Sequence, residues 1–306
     1  MKHLWHNPKT PHKPSVCFGM SDRQYNAIPA MRWSTLKAIL DSPRALQHRL
    51  ATPLGDSPAL RIGRATHLRI LQPEVYRESV AVVPDEHLTP SGGLSRKAAA
   101  LHWRAEAEAT HEAVITPAEE AEIVGWARLV EAHEGARAMM REATAREVVA
   151  VWHEDDGHGG IIVCKARADL LGRDLLADLK TWSPRSGLSA RAFGAECWRR
   201  MYHAQLGFYS RGFERAGLER GPWIDRRGFI VVDKNGGGDV AALDCDGDMV
   251  AAGNADAEAA LDALRAALAA DSWPGALPER CSLSLPAYAY ESDNNADDLD
   301  LVGLED

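Results

Sequence analysis

Two aspartates and a lysine, Asp169, Asp178 and Lys180, lie on a stretch of the chain, residues 161–182, that is mostly apolar or β-branched. Asp169 ends the first of two predicted strands, and Asp178 lies inside the second, two residues before Lys180. Side chains at i and i+2 of a strand share a face, so Asp178 and Lys180 project together, and the hairpin can bring Asp169 beside them. Carboxylate oxygens suit Mg²⁺ or Mn²⁺, and the lysine is left to hold a water or a phosphate.

The Asp-x-Lys pattern is also common as an ion pair on a surface strand. The neighbouring residues help to separate these interpretations, because a buried strand carries a nearly continuous apolar run. Residues 175–179 read Leu-Leu-Ala-Asp-Leu, which favours burial. Two carboxylates and an ammonium on a buried sheet are costly to desolvate, and a divalent cation would compensate for that cost.

The elements that must position these side chains can be predicted from hydrophobic periodicity and turn residues. The predicted strands cover residues 147–152, 161–171, 175–182, 228–234 and 239–244, with Gly-containing turns inside each hairpin. The predicted helices cover residues 35–40, 43–50, 59–71, 96–110, a segment opened by Thr116-Pro117, 189–216 and 248–270. This order predicts an α/β fold with a helical N-terminal extension.

The predicted helix over residues 59–71 carries His67 on its apolar face. A lone histidine on a helix is usually an ordinary core or surface residue. Here Gly63 permits a close backbone approach, and Arg61 and Arg64 supply charge suited to phosphate.

The predicted helix over residues 189–216 places Tyr202, Gln205 and Tyr209 on one face, because they follow a spacing of i, i+3 and i+7. Arginines flank this stripe at positions 199, 200, 211 and 215. The pattern indicates contacts to phosphates, or stacking on bases. An equally good interpretation is a helix whose tyrosines lie at the rim of the core.

The chain has 306 residues with 45% hydrophobic content, which is ample for a core. We predict a single domain over residues 20–290, with a mainly helical part at 20–145, the sheet core at 146–245 and a C-terminal helix and arm at 246–290. Residues 1–19, rich in Pro, His and Lys, are expected to be a disordered leader, and residues 291–306 a disordered acidic tail.

Composition excludes several classes of protein. The five cysteines form no C-x-x-C pair, which argues against a zinc ribbon, an iron–sulfur cluster or a disulfide framework. The net charge is −9, but residues 291–306 hold seven acidic and no basic residues, so only −2 remains for the rest of the chain. No apolar run approaches the ~20 residues of a membrane span and no signal-peptide h-region occurs, so we expect a cytoplasmic protein without membrane contact.

Four motifs occur in a recognisable order. They are Gly63-x-x-x-His67, Arg167-Ala168-Asp169, Asp178-Leu179-Lys180-Thr181 and Tyr202-His203-x-Gln205-x-x-x-Tyr209. On these motifs the chain resembles the PD-(D/E)XK nuclease superfamily, and within it the RecE-like (exonuclease VIII) and RecB-type branch, over about residues 20–290. The resemblance implies a PD-(D/E)XK nuclease core, a mixed central sheet flanked by helices. Ala168 departs from the family, which often places proline there.

The resemblance also implies roles for individual residues. His67, Asp169, Asp178 and the Leu179 carbonyl would ligate Mg²⁺ or Mn²⁺, and Lys180 would orient the attacking water. Gln205, Tyr209 and Tyr202 would position the DNA, and the candidate phosphate clamps are Arg61, Arg64 and Arg167. Glu147 could add an acidic group, but a glutamate at a strand start is expected to be structural.

The activity implied by the resemblance is Mg²⁺-dependent exonucleolytic hydrolysis of linear double-stranded DNA, 5′→3′, leaving 3′ single strands. Relatives of this kind work beside a single-strand annealing recombinase and form homo-oligomeric rings, so we expect a ring, with a tetramer favoured. The alternatives are a non-catalytic DNA-binding or scaffold protein that keeps the fold, and an endonuclease on the same fold. The intact set of Asp169, Asp178 and Lys180 argues against the scaffold, because an idle site gains nothing from burying three charges.

Overall fold

The computed structural model describes residues 4–52, 55, 57–185, 187–217, 226–235 and 238–286. Its strands in chain order are β1 (Ser15–Cys17), β2 (Val80–Val82), β3 (Ala113–Ile115), β4 (Ala143–Asp155), β5 (Ile161–Gly172), β6 (Leu175–Trp182), β7 (Arg226–Asp233) and β8 (Val240–Asp244). Six of them form a central sheet in the order β1-β4-β5-β6-β7-β8, and β2 pairs with β3 in a small parallel sheet. Within the central sheet β6 and β7 are parallel and the other neighbours are antiparallel, so the sheet is mixed.

The helices surround this sheet. In chain order they are α1 (Asp22–Ala27), α2 (Trp33–Leu36), α3 (Pro43–Ala51), α4 (Pro58–Leu71), α5 (Pro73–Ser79), α6 (Ala98–Thr110), α7 (Pro117–Ala132), α8 (Glu134–Glu142), α9 (Ala190–Arg200), α10 (Tyr202–Arg215) and α11 (Gly247–Ala270). Local signals predicted several of their starts. The Ser42 hydroxyl caps α3, and Thr116 and Glu119 form a reciprocal capping box at α7.

Alternating residues of the central strands build a core on each face of the sheet. On one face Phe229 and Val231 of β7 pack with residues of α10 and α11. On the other face Ile230 and Val232 pack with residues of α4 and α7. This period of two is why a strand inside the sheet reads as a continuous apolar run. Among the described residues no helix combines the length and hydropathy needed to cross a bilayer.

The structure differs from the sequence expectation for residues 1–19, because residues 4–19 are not a disordered leader. Strand β1 pairs antiparallel with β4, and the carbonyl of the buried Trp5 accepts a hydrogen bond from the Val163 amide. The Asn7 amide also donates to the Ile161 carbonyl, and His6 pairs with Asp156, so several contacts tie this polar segment to the sheet. The predicted acidic tail at 291–306 lies outside the described residues, as do residues 287–290 of the predicted terminal arm.

The prediction of one helix over residues 189–216 is wrong, because the segment forms two helices, α9 and α10. Met201 has a φ of 60°, in the left-handed region, and separates α9 from α10. Side chains from α2 and the turn after it satisfy carbonyls at this break, because Trp33 Nε1 donates to the Met201 carbonyl and Lys37 Nζ donates to the Arg200 carbonyl. No glycine or proline marks position 201, so the break depends on tertiary contacts.

Candidate active site

The central sheet opens between β5 and β6. These two strands are paired only at Leu170–Ala177 and Leu171–Leu176, although both extend further. Asp169 comes just before Leu170 and Asp178 just after Ala177, so the two aspartates lie where the pairing of the strands ends. Leu179 is in register with Ile230 of β7, and on the β5 side its amide donates to Asp169 Oδ2 at 2.8 Å. The carboxylate therefore replaces a backbone acceptor at the point where the sheet separates.

A cavity of about 460 Å³ lies at this opening. Most of the side chains that the sequence selected line it: Arg64, His67, Arg167, Asp169, Asp178, Lys180, Gln205 and Tyr209. They come from strands β5 and β6 of the sheet and from helices α4 and α10, which pack against it. The convergence of distant residues that the motif order implies is thus present in the fold.

One part of the cavity wall is a trio of His67, Glu147 and Asp169. Each offers a ligand atom, and the three atoms lie within 4.8 Å of one another. His67 Nδ1 is 3.4 Å from Asp169 Oδ2. Glu147 and Asp169 are buried, whereas His67 is partly exposed toward the cavity. Imidazole and carboxylate donors at this spacing can surround one small divalent cation.

Glu147 belongs to the site, contrary to the expectation that it would be structural only. The ladder pair Val148–Ala168 of β4 and β5 places it opposite Asp169. Its φ of 51° is in the left-handed region, which is a strained conformation for glutamate. The signal was available in the sequence, because counting the β4–β5 hairpin back from its Gly-rich turn puts an acid at 147 across from the acid at 169.

Asp178, Lys180 and Gln205 form a second group. Lys180 Nζ is 2.6 Å from Asp178 Oδ2 and donates to Gln205 Oε1 at 3.3 Å, and Gln205 Nε2 donates to Asp178 Oδ1 at 2.7 Å. The ammonium also lies 4.2 Å from the ring centroid of Tyr202, whose face it approaches. Each of the three polar side chains is thus oriented by the other two.

Arg167 lines the cavity, and its guanidinium is already paired with two carboxylates. Its guanidinium contacts Asp22 and Glu147, each at 2.9 Å, and lies 5.0 Å from the ring centroid of Tyr25. It therefore holds the Glu147 carboxylate in place and closes the site from the side of α1. A phosphate clamp would have to share this guanidinium with two carboxylates.

The acids of the site have pKa values displaced in opposite directions. Burial and repulsion from Asp169 raise the pKa of Asp178 to about 6 and that of Glu147 to about 7. Burial alone would raise the pKa of Asp169 too, but His67 and Lys180 together with the Leu179 amide lower it instead. These separated values are typical of a functional site.

The bases of the site are held in their charged forms. Burial would lower the pKa of His67, but attraction to Asp169, reinforced by other carboxylates, raises it to about 9. In the same way, burial is outweighed for Lys180 by Asp178, and the pKa of the ammonium rises. Protons on His67 and on the raised carboxyls thus balance the charge of the acids that share the cavity.

Two predicted residues do not line this cavity, and the role of a third stays a prediction. Arg61 does not line this cavity and pairs with Glu119 of α7. Tyr202 packs against Lys180 without being among the lining residues. The Leu179 side chain is buried in the core, and its amide is committed to Asp169, while its carbonyl as a ligand stays a prediction.

The arginines that flank the predicted tyrosine stripe are also paired with acids. Arg199 and Arg200 both contact Glu196, whereas Arg211 and Arg215 contact the fully buried Glu154. Contacts of Arg211 and Arg215 to phosphate, which the sequence suggested, are therefore replaced by a structural ion-pair network.

The donors present fit a hard divalent cation. One imidazole and three carboxylates face a single cavity, and such oxygen-rich sets suit Mg²⁺ and Mn²⁺. Asp178 Oδ2 is buried, and the Lys180 ammonium at 2.6 Å compensates its charge.

Comparison with known proteins bears on the fold. No family model and no curated protein matches the chain. The crystal structure of a Eubacterium rectale protein named "Putative exonuclease" aligns with 92% of this chain and 99% of its own, with a TM-score of 0.50 and 14% identity. That of SSO0001 aligns with 67% of this chain and 86% of its own, at a TM-score of 0.26 and 14% identity. The first likeness shows a shared fold, and the second carries no argument.

Proposed function

We propose that the protein is a metal-dependent nuclease with a PD-(D/E)XK core. The observation that carries this proposal is the convergence of His67, Glu147, Asp169, Asp178 and Lys180 on one cavity at the opening of the sheet. An imidazole, three carboxylates and an oriented ammonium are the groups that phosphodiester hydrolysis with a metal requires. The fold shared with the Eubacterium rectale protein, given its name, supports the same class of reaction.

The cation would be held by His67, Glu147, Asp169 and Asp178. When bound, it supplies Lewis acidity toward the phosphodiester and makes nearby water more acidic. His67 must lose its proton to act as a ligand, and the carboxyls with raised pKa values must also ionise. The donor set therefore exchanges protons for the cation, and the buried charge of the site stays balanced.

Lys180 and Gln205 supply the positioning that catalysis requires. The ammonium is fixed between Asp178, the Gln205 amide oxygen and the Tyr202 ring, so its remaining N–H is available to a water or a phosphate oxygen. A charge fixed before the reaction begins stabilises developing negative charge without reorganisation. We propose that Arg64, which lines the same cavity, contacts a neighbouring phosphate.

The finer features of the proposal follow from the RecE-like motif order. We propose linear double-stranded DNA as substrate, degraded 5′→3′, with an annealing recombinase as partner and a homo-oligomeric ring as the assembly. Light scattering of the purified protein tests the ring. Digestion of duplexes labelled at the 5′ or the 3′ end tests the direction of cleavage.

The deciding experiment compares linear with closed-circular duplex in Mg²⁺, in Mn²⁺ and in a chelator. We expect loss of the linear form only, and only with metal. Lys180→Met and Asp178→Asn should abolish degradation, whereas the matched surface changes Lys97→Met and Asp174→Asn should not, because those two residues are exposed and do not line the cavity.

Three outcomes separate the alternatives. Degradation of the circle would make the protein an endonuclease. Absence of degradation of either substrate by the folded wild-type protein would contradict nuclease activity. Equal degradation by the wild type and by both site variants would leave the cavity without a catalytic role.

A further inference from the structure

One aromatic side chain beside the site is exposed to an unusual degree. The Trp198 side chain, on the last turn of α9, is 67% exposed, although tryptophan is the largest apolar side chain in the molecule. Tryptophan side chains are usually largely buried. Its exposure calls for a partner that covers it, since exposed aromatic surface is typical of binding sites.

The indole is held in a fixed orientation. Its ring stacks on the imidazole of His203, with the centroids 5.5 Å apart and the planes at 22°. His203 is buried, and its two ring nitrogens bond Asp256 Oδ2 at 2.8 Å and the Cys197 carbonyl at 3.3 Å. One face of the indole is therefore covered by a fixed ring, and the rest of its surface is presented to solvent.

Cationic side chains surround the exposed indole. Arg199 and Arg200 are its sequence neighbours, with side chains 61% and 53% exposed, and they share the single carboxylate of Glu196. Lys37 donates to the Arg200 carbonyl at 2.9 Å, which also covers the negative end of α9. Two guanidinium groups and an ammonium against the carboxylates of Glu196 and Asp256 leave an excess of positive charge around the ring.

This surface adjoins the active site. Tyr202, four residues after Trp198 across the helix break, has Lys180 over its ring at 4.2 Å. Trp33, which lines the cavity, donates to the Met201 carbonyl at 3.1 Å, and Lys37 contacts the Arg200 carbonyl, so the end of α9 that carries Trp198 lies beside the cavity.

We propose that Trp198, with Lys37, Arg199 and Arg200, forms a platform that binds an unpaired DNA strand next to the site of cleavage. Positive charge fits the phosphate backbone, and an indole stacks on a base of any sequence. Bases inside a duplex already stack on one another, so the ring can accept only a base that is unpaired. The feature of the substrate that the platform recognises is therefore a single-stranded or frayed end. The place of the platform in the reaction rests on the nuclease proposal.

The test measures binding in a chelator, where no cleavage can occur. Fluorescence anisotropy gives the affinity of the full-length protein for a labelled blunt duplex and for the same duplex with a single-stranded extension. We expect the wild type to prefer the extended duplex, and Trp198→Ala to lose about tenfold of that preference, which corresponds to one stacked base. Trp198→Phe should retain most of it, and Leu101→Ala, which truncates another exposed apolar residue, should retain all of it.

The outcomes distinguish this proposal from the nuclease proposal. If a folded Trp198→Ala protein keeps the full preference, or if the wild type shows none, the platform is contradicted whether or not DNA is cleaved. If Trp198→Ala instead changes the number of subunits in light scattering and leaves the preference intact, the indole covers a subunit contact, and the proposal is wrong. If the preference depends on Trp198 but Mg²⁺ produces no cleavage, the platform stands and the nuclease proposal fails.

Discussion

Glu147 lies directly across the β4–β5 ladder from Asp169, so two buried carboxylates face each other on neighbouring strands. Like charges in this relationship destabilise a sheet. The left-handed backbone at Glu147 adds strain at the same position. A fold keeps such an arrangement where both acids have a common partner, and the imidazole of His67 completes the set of donors for a cation.

Replacing Glu147 with glutamine should therefore separate stability from metal binding. Above the raised pKa of about 7 of this carboxyl, Glu147→Gln removes the repulsion and should raise the free energy of unfolding of the metal-free protein by about 1 kcal/mol. The same change should weaken Mn²⁺ binding by at least about tenfold. Urea denaturation in a chelator and calorimetric titration with Mn²⁺ measure the two effects.

The matched control for this prediction is Glu86→Gln, which removes an exposed carboxylate outside the cavity and should change neither quantity. Unchanged Mn²⁺ affinity in Glu147→Gln would show that Glu147 is not a ligand. A large loss of stability in the chelator would show that its ion pair with Arg167 outweighs the repulsion.

The stabilisation of the protein by a divalent cation should increase with pH. Carboxyls with raised pKa values keep protons in the folded state that they lose in the unfolded state, so metal-free stability falls as pH rises toward about 6 for Asp178 and about 7 for Glu147. For His67 the ion pair with Asp169 is fully present below 6.5 and is lost as pH rises through about 9. All three groups release protons to a bound cation, so the cation binds better at higher pH.

Thermal unfolding with and without Mn²⁺, between pH 6.5 and about 9, measures this linkage. We expect the shift in Tm on adding Mn²⁺ to grow with pH, and calorimetry in buffers of different ionisation enthalpy to detect released protons. His67→Gln should release fewer protons near the upper end of the range. A Tm shift that is constant across the range would contradict the assigned ligands.

Gln205 is predicted to act as a positioning residue. Its amide donates to Asp178 Oδ1 and accepts from Lys180, so Gln205→Leu removes both contacts while keeping the volume similar. We expect kcat to fall by about 10–100-fold with little change in KM, because the ammonium loses its orientation. Loss of a donor to the charged form raises the pKa of Asp178 further, so the acid limb of the pH–rate profile should move to higher pH.

Steady-state cleavage across pH tests this prediction, with Gln47→Leu on α3 as the matched substitution outside the cavity. A change in KM alone would make Gln205 a DNA-contacting residue, as the motif resemblance first implied. An unshifted acid limb would contradict the coupling to Asp178.

Arg211 should contribute to stability and not to DNA binding. Its guanidinium bonds the buried Glu154 at 2.6 and 2.8 Å, and Glu258 at 2.6 Å. Arg211→Gln should lower the free energy of unfolding by about 2–3 kcal/mol, somewhat less than a fully orphaned buried charge would cost, because Arg265 still contacts Glu154. Denaturant titration measures the loss.

The salt dependence of DNA affinity provides the contrasting measurement. Arg211→Gln should leave the slope against salt concentration unchanged, since this guanidinium neutralises no phosphate. Arg104→Gln, which breaks an exposed ion pair on α6, should cost no more than about 0.5 kcal/mol. A reduced slope in Arg211→Gln would restore the phosphate contact that the sequence pattern suggested.

The sequence alone determined the features that depend on short-range rules. The β5–β6 hairpin, the capped starts of α3 and α7 and the helix that carries His67 all follow from local periodicity, turn residues and caps. The polar residues on apolar elements also identified Asp169, Asp178 and Lys180, since charge in a buried strand is costly without a function. Helical spacing selected Gln205 together with Tyr202 and Tyr209, and the order of the motifs supplied the metal-binding role of His67.

Only the tertiary structure decided which charges are available and which are neutralised. The roles of Arg61 and Arg211 changed because acids distant in sequence reach their guanidinium groups. The break at Met201 and the pairing of residues 15–17 with β4 likewise depend on partners that local propensity does not encode. Glu147 joined the site through strand register, a long-range quantity, because each ladder pair fixes which side chains face each other across the sheet.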